Sequence, residues 1–202
     1  MRYLLAIGVF LLAACSSSPE KMYYQLPMKA PEVQSVAVMD KGQIWLQRIT
    51  LADVLTSNGI TYQTSDVAYS NASAHLWASP LEQQLGQSMV RELSSALPDR
   101  FISLQPLQNS PETLDITLTA FNGRYDGKVL VQGFWTLMRG DKVVRRNFDI
   151  QLEQQEDGYP ELVRTLANGW QKVAADIAQE INRRTHTRDV SEVSTFWRHR
   201  QY

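Results

Sequence analysis

Two segments of the sequence carry apolar residues on one face of a predicted helix. The first is predicted to begin near Ser79 and Pro80, because serine can cap a helix and proline fits its first turn, and to end before Pro98. Its apolar residues recur every four positions: Leu81, Leu85, Met89, Leu93 and Leu97. The second begins at Pro160, with spacings of three and four: Leu162, Leu166, Trp170, Val173, Ile177 and Ile181. A helix with one apolar face must bury that face against another layer.

Three stretches in the second half of the chain have the pattern of β-strands. Residues 114–120 alternate apolar and polar, which is typical of a strand with one buried and one wet face. Residues 129–138 and 143–152 continue the β pattern on either side of a polar turn at residues 139–142. The order of these stretches predicts an antiparallel meander.

Shorter strands are predicted in the first half of the chain, where Asn58-Gly59 is a turn signal. They lie at residues 22–26, 44–49, 60–64 and 101–104. Helices with one apolar face and strands with one wet face bury their apolar surfaces by packing together. We therefore predict an α+β two-layer sandwich, in which two amphipathic helices pack on a mostly antiparallel sheet.

The first 14 residues have the features of an export signal. Arg2 gives a positive start, and the apolar run over residues 4–13 is far shorter than the roughly 20 residues that span a bilayer. The run ends in Leu12-Ala13-Ala14-Cys15, which resembles the lipobox of bacterial lipoproteins. We expect cleavage before Cys15 and lipidation of its thiol. The alternative is an ordinary secretory signal beside a chance cysteine.

Cys15 is the single cysteine of the chain, so no intrachain disulfide can form. Two or more acyl chains on one residue would anchor the protein stably, at roughly 0.8 kcal/mol for each buried methylene. In the lipoprotein sorting rule of many Gram-negative bacteria, an Asp after the cysteine favours the inner membrane. Ser16 at that position implies the outer membrane, with the domain facing the periplasm.

The remaining sequence divides into a short tether, one domain and a tail. Residues 15–22 are a lipidated tether, small and polar at residues 16–21, and residues 23–184 form the predicted domain. From Thr185 the helical repeat is lost, and residues 185–202 are expected to form a mobile tail or to dock on a partner.

The composition gives no sign of catalysis, of a metal or cofactor, or of nucleic-acid binding. A net charge of −1 does not provide the basic surface that a phosphate backbone requires. The dispersed histidines are His75, His186 and His199. Paired carboxylates are conceivable among Asp115, Asp126 and Asp149, but each lies in or beside a strand with polar alternation, which strongly favours a solvated strand face. We expect a noncatalytic chain without a cofactor.

Four segments of the sequence resemble the auxiliary lipoproteins of ABC-type transport systems. They are Tyr23-Tyr24-Gln25-Leu26, residues 58–66 (NGITYQTSD), residues 76–81 (LWASPL) and residues 121–128 (FNGRYDGK). The match runs in order from the lipobox to about Arg184, and the tail departs from it.

The resemblance implies a role in moving phospholipid or a similar lipid between the inner and outer membranes. It also implies a partner, the MCE-domain protein of the same system, which builds an envelope-spanning tunnel. Because such partners form rings, a homo-oligomeric ring of this chain is a further expectation by analogy.

Three residues are candidates for partner binding. Arg124 and Tyr125 lie in the glycine-containing stretch 122–128, which is expected to be a turn or bulge, and both residue types are enriched at interfaces. Trp77 precedes the first helix and either packs beneath it or contacts a partner.

Two other functions remain open at this point. The chain could brace another outer-membrane assembly without contact with transported lipid, or it could carry lipid in a cavity of its own. A carrier needs a large apolar pocket, whereas two helices with single apolar faces can fill the core of a domain of this size.

Overall fold

The computed structural model describes residues 19–27, 42–107 and 111–198, with side chains up to residue 183. Cys15 and Ser16 lie outside the described residues. The strands are β1 (Met22–Tyr24), β2 (Gln43–Leu51), β3 (Gly59–Gln63), β4 (Tyr69–Trp77), β5 (Phe101–Ser103), β6 (Glu112–Arg124), β7 (Lys128–Arg139) and β8 (Lys142–Glu153). The helices are α1 (Leu81–Ala96) and α2 (Tyr159–Arg198), and a 3-10 turn spans Asp53–Leu55.

All eight strands belong to one sheet with β6 at its centre. On one side β6 pairs antiparallel with β7, which pairs antiparallel with β8, so the predicted meander is confirmed. On the other side, β6 pairs in parallel with β2 over residues 112–118 and with β3 near its end. β5 lies beside β2, and β4 and β1 lie beyond β3. Most paired residues belong to antiparallel ladders, but the short parallel pairs make the sheet mixed.

The two helices pack on each other and on the sheet, which confirms the α+β two-layer sandwich. Every apolar residue of both predicted helical repeats is buried in one continuous core. The burial explains why the helices form here, since most helical stability in a protein comes from packing of the apolar face.

The start of α1 differs from the prediction. Ser79 does not cap the helix, and the residue at the cap position, Pro80, makes no side-chain hydrogen bond. Instead the buried Gln84 amide donates a 2.8 Å hydrogen bond to the Ser79 carbonyl oxygen and accepts a 2.9 Å bond from the Leu26 backbone N–H. The Gln84 side chain therefore ties the segment after β1 to the start of the helix.

Two other boundaries also differ. Asn122 and Gly123 are buried residues of β6, so the expected loop over residues 122–128 shrinks to the turn at residues 125–127. The helix α2 continues to Arg198, beyond the end of the apolar repeat. Whether residues 185–202 are mobile or dock on a partner stays a prediction.

Candidate functional site

Several strands and a helix meet at one end of the sheet. Because β3 and β6 are parallel there, with Gln63 opposite Arg124, the turns at residues 64–68 and 125–127 lie side by side. The segment 154–158, which leads from β8 into α2, lies at the same end, since β8 ends opposite the start of β7. We call these three segments the tether end, because β1 runs parallel to β4 and the chain before Met22 therefore arrives from this direction.

Arg124 and Tyr125 lie at this end. The guanidinium of Arg124 forms a two-point ion pair with Asp126, with Nε 2.7 Å from Oδ1 and Nη2 2.5 Å from Oδ2. The hydrogen bond from Arg124 lowers the pKa of the Asp126 carboxyl to about 2, and the same bond raises the pKa of Arg124. Tyr125 is exposed beside this pair. Arg124 is thus held in place by Asp126, while the ring of Tyr125 faces solvent.

The turn is supported from below by Tyr62 on β3. The Tyr62 hydroxyl donates a 2.9 Å hydrogen bond to the carbonyl oxygen of Arg124. Its ring lies against Gly123, where an added Cβ would be 2.7 Å from the ring carbons. The Gly127 backbone has φ +80°, a conformation that glycine adopts without strain. These contacts fix the turn relative to the sheet.

Trp77 is not brought to the surface with Arg124 and Tyr125. Its side chain is buried at the end of β4, and its ring centroid lies 6.3 Å from that of Phe121. This position favours packing in the core over contact with a partner.

An aromatic cluster that the sequence did not indicate joins β1, β4 and the start of α2. The ring of His75 stacks on that of Tyr159 with centroids 3.8 Å apart, and the Tyr24 hydroxyl lies 2.9 Å from His75 Nδ1. Desolvation by burial raises the pKa of Tyr24, and the nearby Tyr159 raises it further. The three residues are far apart in sequence, so no local pattern signals their contact. The cluster holds the strand next to the tether against the domain.

Two surface clefts border the tether end. One, of about 260 Å³, is lined by Tyr62, Gly127, Gln154, Asp157, Gly158, Tyr159 and Leu162. The other, of about 510 Å³, runs between the end of β8 and α2 and is lined by Leu152, Glu153, Gln155, Glu161, Thr165, Asn168, Gln171, Lys172 and Ala175. Most residues that line the larger cleft are charged or carry an amide, and the cleft is open to solvent rather than enclosed.

The candidate carboxylates are not brought together. Asp126 pairs with Arg124, and Asp149 accepts a hydrogen bond from Gln132 on β7. On β7, Asp115 of β6 lies opposite Thr136, whereas Asp149 of β8 lies opposite Gln132, so the two carboxylates are four strand positions apart. Among the described residues, no group of three or more His, Cys, Asp or Glu side chains could hold a metal ion.

A membrane-spanning helix is also absent from the described part of the chain, since neither helix combines the necessary length and apolar character.

The fold and the sequence together define a class of protein. The sequence model of the family described as ABC-type transport auxiliary lipoprotein component matches residues 24–178, so the chain belongs to that family. Within it, the chain is 45% identical to the intermembrane transport lipoprotein PqiC of Escherichia coli (strain K12) over 183 residues, which cover 90% of this chain and 98% of the relative. The relative of the same name in Shigella flexneri matches to the same extent.

Solved structures share the fold. The crystal structure of an uncharacterized protein has 44% sequence identity and a TM-score of 0.73, and the match covers 80% of this chain and 99% of the other. A protein of Xanthomonas campestris has the same fold at 13% identity, with a TM-score of 0.65 over 78% of this chain and 92% of the other. The relatives that carry a functional name are transport lipoproteins rather than enzymes.

Proposed function

We propose that this chain is an outer-membrane lipoprotein, anchored through Cys15, that forms the outer-membrane end of an MCE-type system for intermembrane lipid transport. The transported cargo is phospholipid or a similar lipid. The main support is the 45% identity to an intermembrane transport lipoprotein across nearly the whole length of both chains. The lipobox and the position of the tether end agree with an anchored domain that faces the periplasm.

The geometry favours a bridging role over that of a lipid carrier. Among the described side chains, the apolar faces of both helices are buried against the sheet in one continuous core, so they leave no apolar surface free for a lipid. The 510 Å³ cleft beside α2 is an open surface groove in which seven of the nine lining residues are polar, so it does not enclose an acyl chain. A domain of this kind can hold the end of a tunnel without itself enclosing the lipid. A structural brace for another outer-membrane assembly is the second candidate.

The surface that we assign to the MCE-domain partner is the turn at residues 125–127. Arg124 is fixed by Asp126, which leaves Tyr125 as an exposed aromatic side chain on a rigid support. Rigid tyrosines give contact area at low cost in conformational entropy, and they often carry much of the energy of an interface. A homo-oligomeric ring of this chain would match the ring symmetry of such a partner. Light scattering on the domain without its lipid tests that ring.

The proposal places the function at one membrane, so the test moves the protein to the other. The Cys15→Ala variant should stay unprocessed or be released from the membrane, since it loses the acyl chains. Changing Ser16 and Ser17 to Asp should keep the lipid and retain the protein in the inner membrane, which membrane fractionation must confirm.

The readout is rescue of an envelope-permeability defect in a strain that lacks this transport system and its parallel pathways. We expect the wild-type chain to rescue the defect and the relocated, lipidated variant to fail. Full rescue by a protein shown to be in the inner membrane would rule out bridging and would favour a periplasmic carrier.

A further inference from the structure

Exposed apolar and aromatic side chains are concentrated toward the tether end. In the described part of the chain, eight large hydrophobic side chains are exposed. Five of them lie at the tether end or on β1 and β4, the two strands that run away from it: Met22, Tyr23, Val67, Tyr69 and Tyr125. Val67, in the turn at residues 64–68, is 83% exposed. Single exposed apolar residues are common, but a group of them at one end of a domain marks an interaction surface.

The length of the tether limits how far this end can be from the membrane. Cys15 precedes Met22 by seven residues, and seven extended residues reach at most about 25 Å. Met22 lies opposite His75 on β4, and the next residue of β4, Leu76, pairs with Gly59 at the start of β3. The strands β3 and β4 form a hairpin, and its tip, the turn at residues 64–68, begins after Gln63 at the end of β3. Four residues of strand separate these levels, which is about 13 Å.

The tether therefore uses about half of its reach to pass the tip of the hairpin. What remains is at most about 12 Å, which is less than the thickness of two headgroup layers of about 5 to 8 Å each. An anchor at Cys15 thus keeps Val67 and Tyr69 within reach of the membrane surface, and a direct contact is needed to hold them there.

The chemistry of this surface fits a bilayer interface. Tyrosine has an apolar ring and a polar hydroxyl, and it is enriched at the level of the lipid headgroups. Charge does not attract the tether end to anionic lipid: Asp66, Glu156 and Asp157 outnumber Lys128, and Arg124 is neutralised by Asp126. Contact would come from burial of apolar and aromatic surface.

We propose that the domain leans on the bilayer interface with the tip of the β3–β4 hairpin and the adjacent sheet edge formed by β1, through Val67, Tyr69, Met22 and Tyr23, and that this contact fixes the orientation of the domain on the membrane. The proposal rests on the anchoring at Cys15 in the proposed function. The contact can be weak and still be occupied, because the tether raises the effective concentration of the surface at the membrane to the millimolar range. Tyr125, on the adjacent turn, stays beside the membrane for the protein partner.

The test uses the full lipidated chain with one environment-sensitive fluorophore. Because the lipidated thiol of Cys15 does not react, a label enters only at an introduced cysteine, in Val67→Cys or in Tyr23→Cys. The matched control is Val143→Cys, which is 63% exposed at the opposite end of the sheet. Each protein is reconstituted into phosphatidylcholine vesicles and into vesicles that also contain phosphatidylglycerol.

We expect a blue shift and quenching by lipid-borne nitroxides for the labels at positions 67 and 23, no change at position 143, and equal results in both kinds of vesicle. Labels at positions 67 and 23 that behave like the one at position 143 would overturn the proposal. A blue shift that occurs only in vesicles with phosphatidylglycerol would mean that charge, rather than apolar burial, drives the contact, and would overturn the proposal. A shift that grows with protein concentration without vesicles would show a second copy on this surface, and would also overturn it.

A second variant separates docking from anchoring. Replacing Tyr23, Val67 and Tyr69 by Ser should leave the lipidated protein in the membrane fraction and should abolish nitroxide quenching of a label at position 125. Unchanged quenching at position 125 would contradict the docking. If the wild-type chain itself fails to enter the membrane fraction, the anchoring at Cys15 is wrong, and this outcome is distinct from loss of docking alone.

Discussion

The indole nitrogen of Trp170 on α2 donates a 3.2 Å hydrogen bond to the backbone carbonyl oxygen of Leu85 on α1. Both residues are fully buried, so the bond fixes one helix relative to the other inside the core. The same indole meets the ring of Phe121 on β6 edge to face, with centroids 6.4 Å apart. One side chain therefore links both helices and the central strand.

Replacing Trp170 by Phe should lower the free energy of unfolding by about 2 kcal/mol, through the lost hydrogen bond and the space left by the smaller ring. Urea denaturation measures the difference. The matched control is Trp45→Phe, because Trp45 makes the same kind of bond, to the Leu104 carbonyl oxygen, in a more exposed position. We expect the control substitution to lower the free energy of unfolding by a smaller amount. Equal losses for the two variants would contradict a special role of Trp170 in joining the layers.

Replacing Gly123 or Gly127 by Ala should lower the thermal stability by different amounts, although the sequence suggests a turn for both residues. At Gly123 a methyl group would collide with the ring of Tyr62, which is itself held by its bond to the Arg124 carbonyl oxygen. At Gly127 there is open space, and the cost is the left-handed backbone, about 1 kcal/mol. Thermal unfolding should therefore show a larger drop for Gly123→Ala than for Gly127→Ala. The reverse order would mean that Tyr62 moves aside freely.

Much of the fold could be predicted because its signals are local. The helical repeats and the meander of β6, β7 and β8 depend on residues close in sequence, and each apolar face had to be buried. The parallel pairing of β2 with β6 depends on how the whole sheet covers the core, which no local pattern records. Glycine was ambiguous for a physical reason: Gly123 is needed for close packing on a ring, not for a turn.

The candidate site was predicted less well than the fold. Arg124 and Tyr125 were found because both residue types are common at interfaces, but the ion pair with Asp126 was not foreseen. The contact between His75 and Tyr159 joins residues 84 positions apart and follows only from the packing of α2 beside β4. No side chain takes the capping role expected of Ser79; the Gln84 side chain instead links the Leu26 N–H to the Ser79 carbonyl oxygen, a contact between residues 58 positions apart.

The ion pair at the tether end should make stability depend on pH in the acid range. The folded pKa of Asp126, about 2, lies below the ordinary value of 3.8, so the pair stabilises the folded chain above pH 3.8. That contribution is lost as the pH falls from 3.8 through about 2. We expect Arg124→Gln to lower the melting temperature slightly at neutral pH and to have no effect below pH 2.

Nuclear magnetic resonance titration of the Asp126 carboxyl gives the direct check. The midpoint should lie near 2 in the wild-type chain and should move toward 3.8 in Arg124→Gln. A wild-type midpoint already near 3.8 would mean that the pair does not persist in solution.

The domain should fold without metal, cofactor or disulfide. The chain has one cysteine, and the described residues contain no cluster of possible metal ligands. Its melting temperature should therefore be the same with and without a chelator, and with and without a reductant. A drop of several degrees with either agent would reveal a site that neither the sequence nor the described residues indicate.

The turn at residues 125–127 should be required for binding to the MCE-domain partner and not for folding. Replacing Arg124 and Tyr125 by Ala removes the exposed ring and the ion pair that holds the turn, whereas Val143→Ala removes an exposed apolar side chain from the opposite end. A tyrosine at the centre of an interface commonly contributes more than 1 kcal/mol, so we expect roughly a tenfold weaker affinity for the double variant. Pull-down and titration with the purified partner measure it, and circular dichroism checks the fold. Because Tyr62 still supports the backbone of the turn, the double variant should remain folded, and its loss of binding would then belong to the surface itself. Unchanged binding in the folded double variant would place the partner on another face of the domain.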